Sequence, residues 1–174
     1  MLPNPGPPRM IFTRTAGTSE QTKNEYIGLK GDQEPLLRVY RQIGHNAELI
    51  DKDSTVKNHD ILQIAYCASG ETYGVIFSID GRGVVTLHFP ERSDGEALLN
   101  QAGEIPIPHA YEIDDAPDFE RFFLVSSRTD INVAEVLAAG YELAGRPDAA
   151  CDQRLELTDQ YRQTSLIIRK ENEQ

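Results

Sequence analysis

The chain of 174 residues is poor in the residue types from which most protein chemistry is built. It holds two cysteines, four histidines and no tryptophan. The cysteines, Cys67 and Cys151, form no CxxC pair, which excludes a zinc knuckle. They leave two outcomes open: one long-range disulfide in an oxidising compartment, or two buried thiols. No hydrophobic run approaches the ~18 residues that cross a bilayer as a helix. Positive charge is scarce as well, with 17 Lys and Arg against 28 Asp and Glu and a net charge of -11. That balance argues against nucleic acid, whose non-specific binding rests on cations neutralising phosphates. It argues equally against docking on anionic lipid, and its plainest role is solubility.

Local catalytic and cofactor motifs are missing too. His45, His59, His88 and His109 form no HExxH and no pair at helical spacing. Ser126 and Ser127 lie near a strand end, and no serine stands in GxSxG. The expectation is therefore no cofactor, no metal site and no enzymatic activity. The start, "MLPNPGPP", has neither the basic head nor the apolar core of a secretory signal. The chain then reads as cytoplasmic if it is full length, and as periplasmic or otherwise extracytoplasmic if it is excised from a membrane-anchored protein.

What the sequence does have is alternation. Residues 1–25 are rich in proline and polar residues, with "MIF" at 10–12 as an isolated apolar patch, and read as a leader or linker. Residues 26–174 read as a single β-rich domain. Strands are expected at 36–42, 47–51, 61–67, 71–80, 83–89, 105–114, 118–127 and 164–170, with 52–60 as polar connection. Residues 154–160 are ambiguous between strand and helical turn. Residues 131–145 break the pattern: Val133, Val136, Leu137 and Leu143 recur at helical spacing, Asn132 or Asp130 can cap the start, and Gly145 can end it. Seven or eight short strands with one helix predict an antiparallel β-sandwich or partly open barrel. Strands do not alternate with helices, so a doubly wound sheet is excluded.

The stretch "FSIDGRGVVTLHFP" (77–90) looks most like a motif. Its GxG lies between strands with no helix after it, unlike a nucleotide fingerprint. It carries one acidic residue where a calcium loop needs several. Parity explains it without a ligand. Val75, Phe77 and Ile79 share one face of the first strand, and Val85, Leu87 and Phe89 share one face of the second. A two-residue turn would send these sets to opposite faces. A three-residue loop over Gly81, Arg82 and Gly83 pairs Phe77 with Leu87 and Val75 with Phe89, and brings them to one core. Such loops place their third residue in the left-handed region, which Gly83 suits. His88 then lies opposite the core face.

The most acidic ordered stretch, "YEIDDAPDFERFF" (111–123), alternates Glu112, Asp114, Asp118 and Glu120 with Tyr111, Ile113, Phe119 and Arg121. Alternation of this kind predicts a solvated strand face with a turn at Ala116-Pro117, and spreads the carboxylates too far to gather a cation.

Four blocks carry a resemblance: "LKGDQEPLLRVYR" (29–41), "HDILQIAY" (59–66), "YGVIFSIDGRGVVTLHFPE" (73–91) and "IPIPHAYEIDDAPDFERFFLVSS" (105–127). Their order resembles the bacterial domain-of-unknown-function family 4384 and its relatives over residues 29–130. The matching positions are Asp60, Tyr73, Asp80, Gly83, Phe89-Pro90, Pro106 or Pro108, Ala116-Pro117 and Glu120. Asn58-His59 stands where relatives have Pro-Gly, and Asp118-Phe119 where many have a glycine; both departures fall in turns. The resemblance implies no known activity. It implies a C-terminal module following a membrane helix, behind an anti-sigma-like region, a kinase or a caspase-like peptidase. The proline-rich leader would then be the linker after that helix.

The reading as a whole is a non-catalytic extracytoplasmic sensing or protein-interaction module of a bacterial envelope or signalling protein, with a protein or envelope component as partner. One alternative is a small-ligand-binding β-domain with a pocket between its sheets. Another is a hydrolase of unrecognised type, for which a Ser–His or Asp–His contact with an oriented third group would be required. The candidate docking edge is 105–113, where Pro106 and Pro108 deny a central place in a sheet, with Ile107 and Tyr111 as its side chains.

Overall fold

A computed structural model describes residues 33–171. The leader over 1–25, the "MIF" patch and the expected start of order at Tyr26 lie outside these residues.

Two five-stranded sheets and one main helix make up the fold. The first sheet runs β2 (Asn46–Leu49), β1 (Leu36–Ile43), β4 (Ile61–Cys67) and β7 (Glu104–Pro106), with β8 (Tyr111–Glu112) pairing β4 further along the same edge. The second runs β3 (Thr55–Val56), β10 (Arg162–Lys170), β9 (Phe119–Ser127), β5 (Tyr73–Asp80) and β6 (Val85–Phe89). All pairings are antiparallel except β10 with β3. The sheets stack as a β-sandwich. Helix α1 (Val133–Ala144) and the short α2 (Pro147–Ala150) cover the outer face of the second sheet.

The second sheet is therefore buried on both faces, and the chain has two cores rather than one. The odd positions of β9, Phe119, Phe123 and Val125, join Val75, Phe77 and Ile79 of β5 beneath the helix. The even positions, Phe122 and Leu124, join Ile76, Ile168 and, from the first sheet, Val39, Leu62, Ile64 and Tyr66. This explains why all nine residues of β9 are buried. Covered on both sides, the strand does not alternate at its centre, where Phe122, Phe123, Leu124 and Val125 run together, while its ends carry buried polar residues.

Helix α1 forms where the spacing predicts. The Asn132 side chain accepts the Glu135 N–H at 3.2 Å, satisfying one of the free donors at the helix start. Val133, Val136, Ala139, Gly140 and Leu143 face the sheet. Phe77 lies beneath Gly140 and stacks on Phe123 with ring centroids 5.0 Å apart. Arg121 ties the segment after α1 to the sheet. Its guanidinium donates to the carbonyls of Ala150 and Gln153, each at 2.9 Å, while lying 4.5 Å over the Phe123 ring.

Several expectations need correction. The polar connection 52–60 contains β3, which pairs with the end of β10. Residues 105–114 are not one strand. Tight packing of Ile107 and the proline at 108 break the edge into β7 and β8. Residues 154–160 form neither strand nor helix, and α2 lies in a segment where the spacing predicts no element. The β5–β6 register also departs at one point. Phe77 pairs with Leu87, but Ile76, not Val75, pairs with Phe89. His88 is the extra residue of a bulge, and one inserted residue inverts parity beyond it. Val85 and Leu87 pack under the helix, whereas Phe89 turns to the inter-sheet core, 6.1 Å from the Tyr66 ring.

Candidate functional site

The glycine-containing turn is a structural cap. Asp80 N–H donates to Val84 O at 3.1 Å, and Gly83 N–H donates to Asp80 O at 3.0 Å. The Asp80 carboxylate accepts the N–H groups of Arg82 and Val84 at 2.8 and 2.9 Å. Its Oδ1 is thus spent on the loop itself. Gly83 has φ +80, as the three-residue loop requires. At Gly81 the demand is space: a Cβ there would fall 1.8 Å from the Pro117 carbonyl oxygen. Arg82 reaches across to the Asp115 carboxylate at 2.8 Å and its carbonyl at 3.1 Å, fastening the turn to the acidic loop.

Beneath this turn runs a chain of polar groups inside the inter-sheet core. Ser78 Oγ lies 2.9 Å from His88 Nε2. The His88 ring meets Tyr111 edge-on at 4.8 Å and lies 5.6 Å from Phe122. Tyr111 OH donates to Glu120 Oε1 at 3.2 Å. Lys170 Nζ is 3.3 Å from Glu120 Oε2 and donates to Asp114 Oδ1 at 3.1 Å. The Lys170–Glu120 approach is an ion pair without good hydrogen-bond alignment, since Oε2 has no hydrogen-bond partner. Glu120 is 1% exposed, which corrects the solvated reading of its face. The alternation is present there, but the face opposite Phe119 and Arg121 belongs to a second core.

Burial sets the protonation of this chain. It pushes His88 down to about 4, so the imidazole is neutral near pH 7. It pushes the Glu120 carboxyl up, opposed by the Ser78 hydroxyl and the Lys170 ammonium. It pushes the Tyr111 phenol up, helped by the Glu120 charge. The Ser78–His88 contact meets the first requirement of a hydrolase. However, Ser78 is 0% exposed, and the nearby carboxylate lies on the serine's side of the contact. In a catalytic triad the acid orients the far nitrogen of the imidazole, and the nucleophile meets the substrate. The arrangement here solvates polar groups inside a core.

A second polar group gathers at the opposite end of the same inter-sheet space. Ser126 faces inward one step beyond Leu124, directly opposite Arg162 of β10. On its other side it pairs with Gly74, whose missing side chain is replaced by Leu99. A pocket of about 220 Å³ opens there, lined by Glu34, Pro35, Leu124, Ser126, Arg162 and Thr164 among others. Ser126 is 1% exposed, and its hydroxyl has no hydrogen-bond partner among the described residues. Glu71, 2% exposed, lies 3.2 Å from Arg128 Nε and 3.4 Å from Arg162 Nε. Arg162 also contacts Glu34 at 3.1 Å. The sequence shows Ser126 near a strand end. Only the register reveals that Ser126, Thr164 and Arg162 share one face.

The expected edge 105–113 lies at the sheet edge, but Ile107 and Tyr111 do not project from it. Ile107 is buried, its N–H donates to Ile64 O at 2.9 Å, and its carbonyl accepts from the Gln63 amide at 2.8 Å. Tyr111 points into the polar chain described above. Among the described residues an open edge lies elsewhere. Residues 42–49 of the β1–β2 hairpin are exposed without a break, and Ile43 and Leu49 are each 51% exposed. Ile50 N–H donates to Val39 O, so Glu48 and Asn46 are the residues bonded back to β1. By the alternation of an antiparallel ladder, the backbone groups of Ala47 and Leu49 face outward.

Both cysteines are free thiols, and burial pushes the Cys67 thiol up. Among the described residues no three His, Cys, Asp or Glu side chains gather to hold a metal ion, and no helix is long and apolar enough to cross a membrane. Comparison with protein-family models, with curated proteins and with solved structures found no match to this chain.

Proposed function

We propose that this chain is a non-catalytic interaction module of a bacterial envelope or signalling protein, and that its protein partner adds an extended segment to β2. One observation carries the reading: an exposed hairpin edge with outward N–H and C=O groups at Ala47 and Leu49, flanked by exposed Ile43 and Leu49. Strand addition draws affinity from main-chain bonds and specificity from alternate side chains. Open edges of this kind are a liability that proteins normally blunt with proline or charge. The resemblance to the domain-of-unknown-function family 4384 supports an extracytoplasmic setting. The test is quantitative affinity capture from an envelope extract with wild type, Leu49→Pro and, as a distant surface control, Arg92→Ala. A protein retained by wild type and the control, and lost with Leu49→Pro, is expected. Equal retention by all three removes the edge from the account.

A second reading, a small-ligand domain with its pocket between the sheets, is favoured by a separate observation: the unpartnered Ser126 hydroxyl beside a pocket of about 220 Å³. Buried polar atoms are almost always paired, and an exception marks a place for a water or a ligand atom. The two readings concern different places, the β2 edge and the pocket beside Ser126, and do not exclude each other.

A further inference from the structure

We infer that the segment added to β2 is cationic: an extended stretch with apolar side chains over Ala47 and Leu49 and a lysine or arginine at the position facing Asp51. The inference rests on the β2-edge reading given above and adds the chemical class of the partner. The backbone sets the length of the docking strand. The outward groups of Ala47 and Leu49 are open, but Asp51 N–H donates to Ser54 Oγ at 3.2 Å and Asp51 O accepts the Ser54 N–H at 3.1 Å, so a turn closes the edge two residues beyond Leu49. At the other end Ile43 pairs with Asn46 and the hairpin loop begins. So short a ladder holds a segment weakly, and side chains decide which segment is held. Ala47 and Leu49 share one face of the hairpin, and both are exposed. The charge beside them is negative. Glu48, on the opposite face, is already held by Arg41 at 2.6 Å. Asp51 and Asp53 stand exposed just past the strand, with only Lys52 between them. The Ser54 hydroxyl and the Asp53 N–H hold the Asp51 carboxyl below its ordinary range, so it is charged at neutral pH. A chain of net charge -11 draws a cationic segment in and repels a second copy of itself. Pairing Ala47 of one copy with Leu49 of another would also set two Glu48 side chains opposite each other, a destabilising pair.

The test is an NMR titration of the isotopically labelled chain with three peptides, acetyl-KTVTVTK-amide, acetyl-QTVTVTQ-amide and acetyl-ETVTVTE-amide. Each reads the same in both directions, so an end residue meets Asp51 whether the added strand runs parallel or antiparallel to β2. The lysine peptide is expected to shift the amides of Ala47 and Leu49 in a saturable manner and to bind about two- to fivefold more tightly than the glutamine peptide, the range for an exposed ion pair. The glutamate peptide should bind most weakly. Asp51→Asn keeps an acceptor for the turn and should remove most of the lysine preference, and Leu49→Pro should abolish the shifts from all three. If the three peptides bind alike, or the glutamate peptide binds best, the edge reading stands and the cationic class is wrong. If the lysine preference is unchanged in Asp51→Asn, the overall charge of the chain and not this edge selects the cation, and the inference falls. If the amides of Ala47 and Leu49 shift with protein concentration alone, the occupant is a second copy and the inference falls. If no peptide shifts them, or the shifts survive Leu49→Pro, both the inference and the edge reading fall.

Discussion

Protonating His88 should loosen the inter-sheet core, and the size of the effect follows from where the ring lies. The imidazole is enclosed by Tyr111 and Phe122 and bonded to Ser78, with Glu120 and Lys170 further along the same polar chain. Burial holds its pKa at about 4 against 6.5 for a free histidine. Because the folded value is the lower one, the unfolded chain takes up the proton first. The neutral ring's contribution is fully present above pH 6.5 and is lost as the pH falls towards 4, where the loss levels off. The gap between the two values corresponds to about 3 kcal/mol, an upper value because the residue retains some exposure. Glu120 works in the other direction: its raised pKa favours the folded state below the ordinary carboxyl range and loses that effect as the pH rises through the folded value. The assay is urea unfolding from pH 7.5 to 4 for Ser78→Ala and for Ser78→Ala with His88→Phe, which keeps an aromatic ring; both lack the Ser78 hydroxyl that bears on Glu120. Glu120 and the surface carboxylates are therefore common to both proteins. The difference between the two curves isolates His88, and it should grow in favour of the His88→Phe protein by about 2–3 kcal/mol across that range. Parallel curves, or an imidazole that titrates near 6.5 by NMR, would refute the placement of His88 in a second core.

Gly83→Ala should destabilise by more than about 1 kcal/mol, since it combines a left-handed backbone with a Cβ 2.8 Å from the Ala144 carbonyl oxygen; chemical denaturation measures it, and an unchanged midpoint contradicts the loop assignment. Phe77→Ala removes a ring stacked on Phe123 beneath the helix and should cost about 3–5 kcal/mol, so a thermal midpoint unchanged from wild type would mean that this face is not packed. Lys170→Met should cost about 3–5 kcal/mol by leaving Glu120 without its counter-charge, and adding Glu120→Gln should restore most of that loss; no restoration would show that Lys170 acts through packing alone.

Much of this fold is legible in the sequence, and the failures share a cause. β4 and α1 emerge where apolar spacing and the Asn132 cap place them, and the parity of Phe77 and Leu87 is enough to choose a three-residue turn over a two-residue one. Parity, however, separates two faces without saying that only one is buried. Parity alone puts His88 and Glu120 on an outer side and gives Ser126 no role, whereas the second sheet is covered by the helix on one face and by the first sheet on the other. The bulge at His88 leaves no local signature, yet it moves Phe89 from one core to the other. The prolines at 106 and 108 marked an edge correctly. They could not show that Ile107 between them turns inward, or that the long exposed edge is the hairpin at 42–49, whose composition is unremarkable.

The central claim is that the chain works by offering the β2 edge to a partner. It is tested most directly by placing a photo-crosslinking amino acid at Ala47 in the chain as it occurs in its host cell, with a second probe at His109 for comparison. Illumination should give one discrete product from position 47, none from 109, and loss of the product when Leu49→Pro is added. A product of equal yield from both positions, or one that survives Leu49→Pro, would contradict the claim.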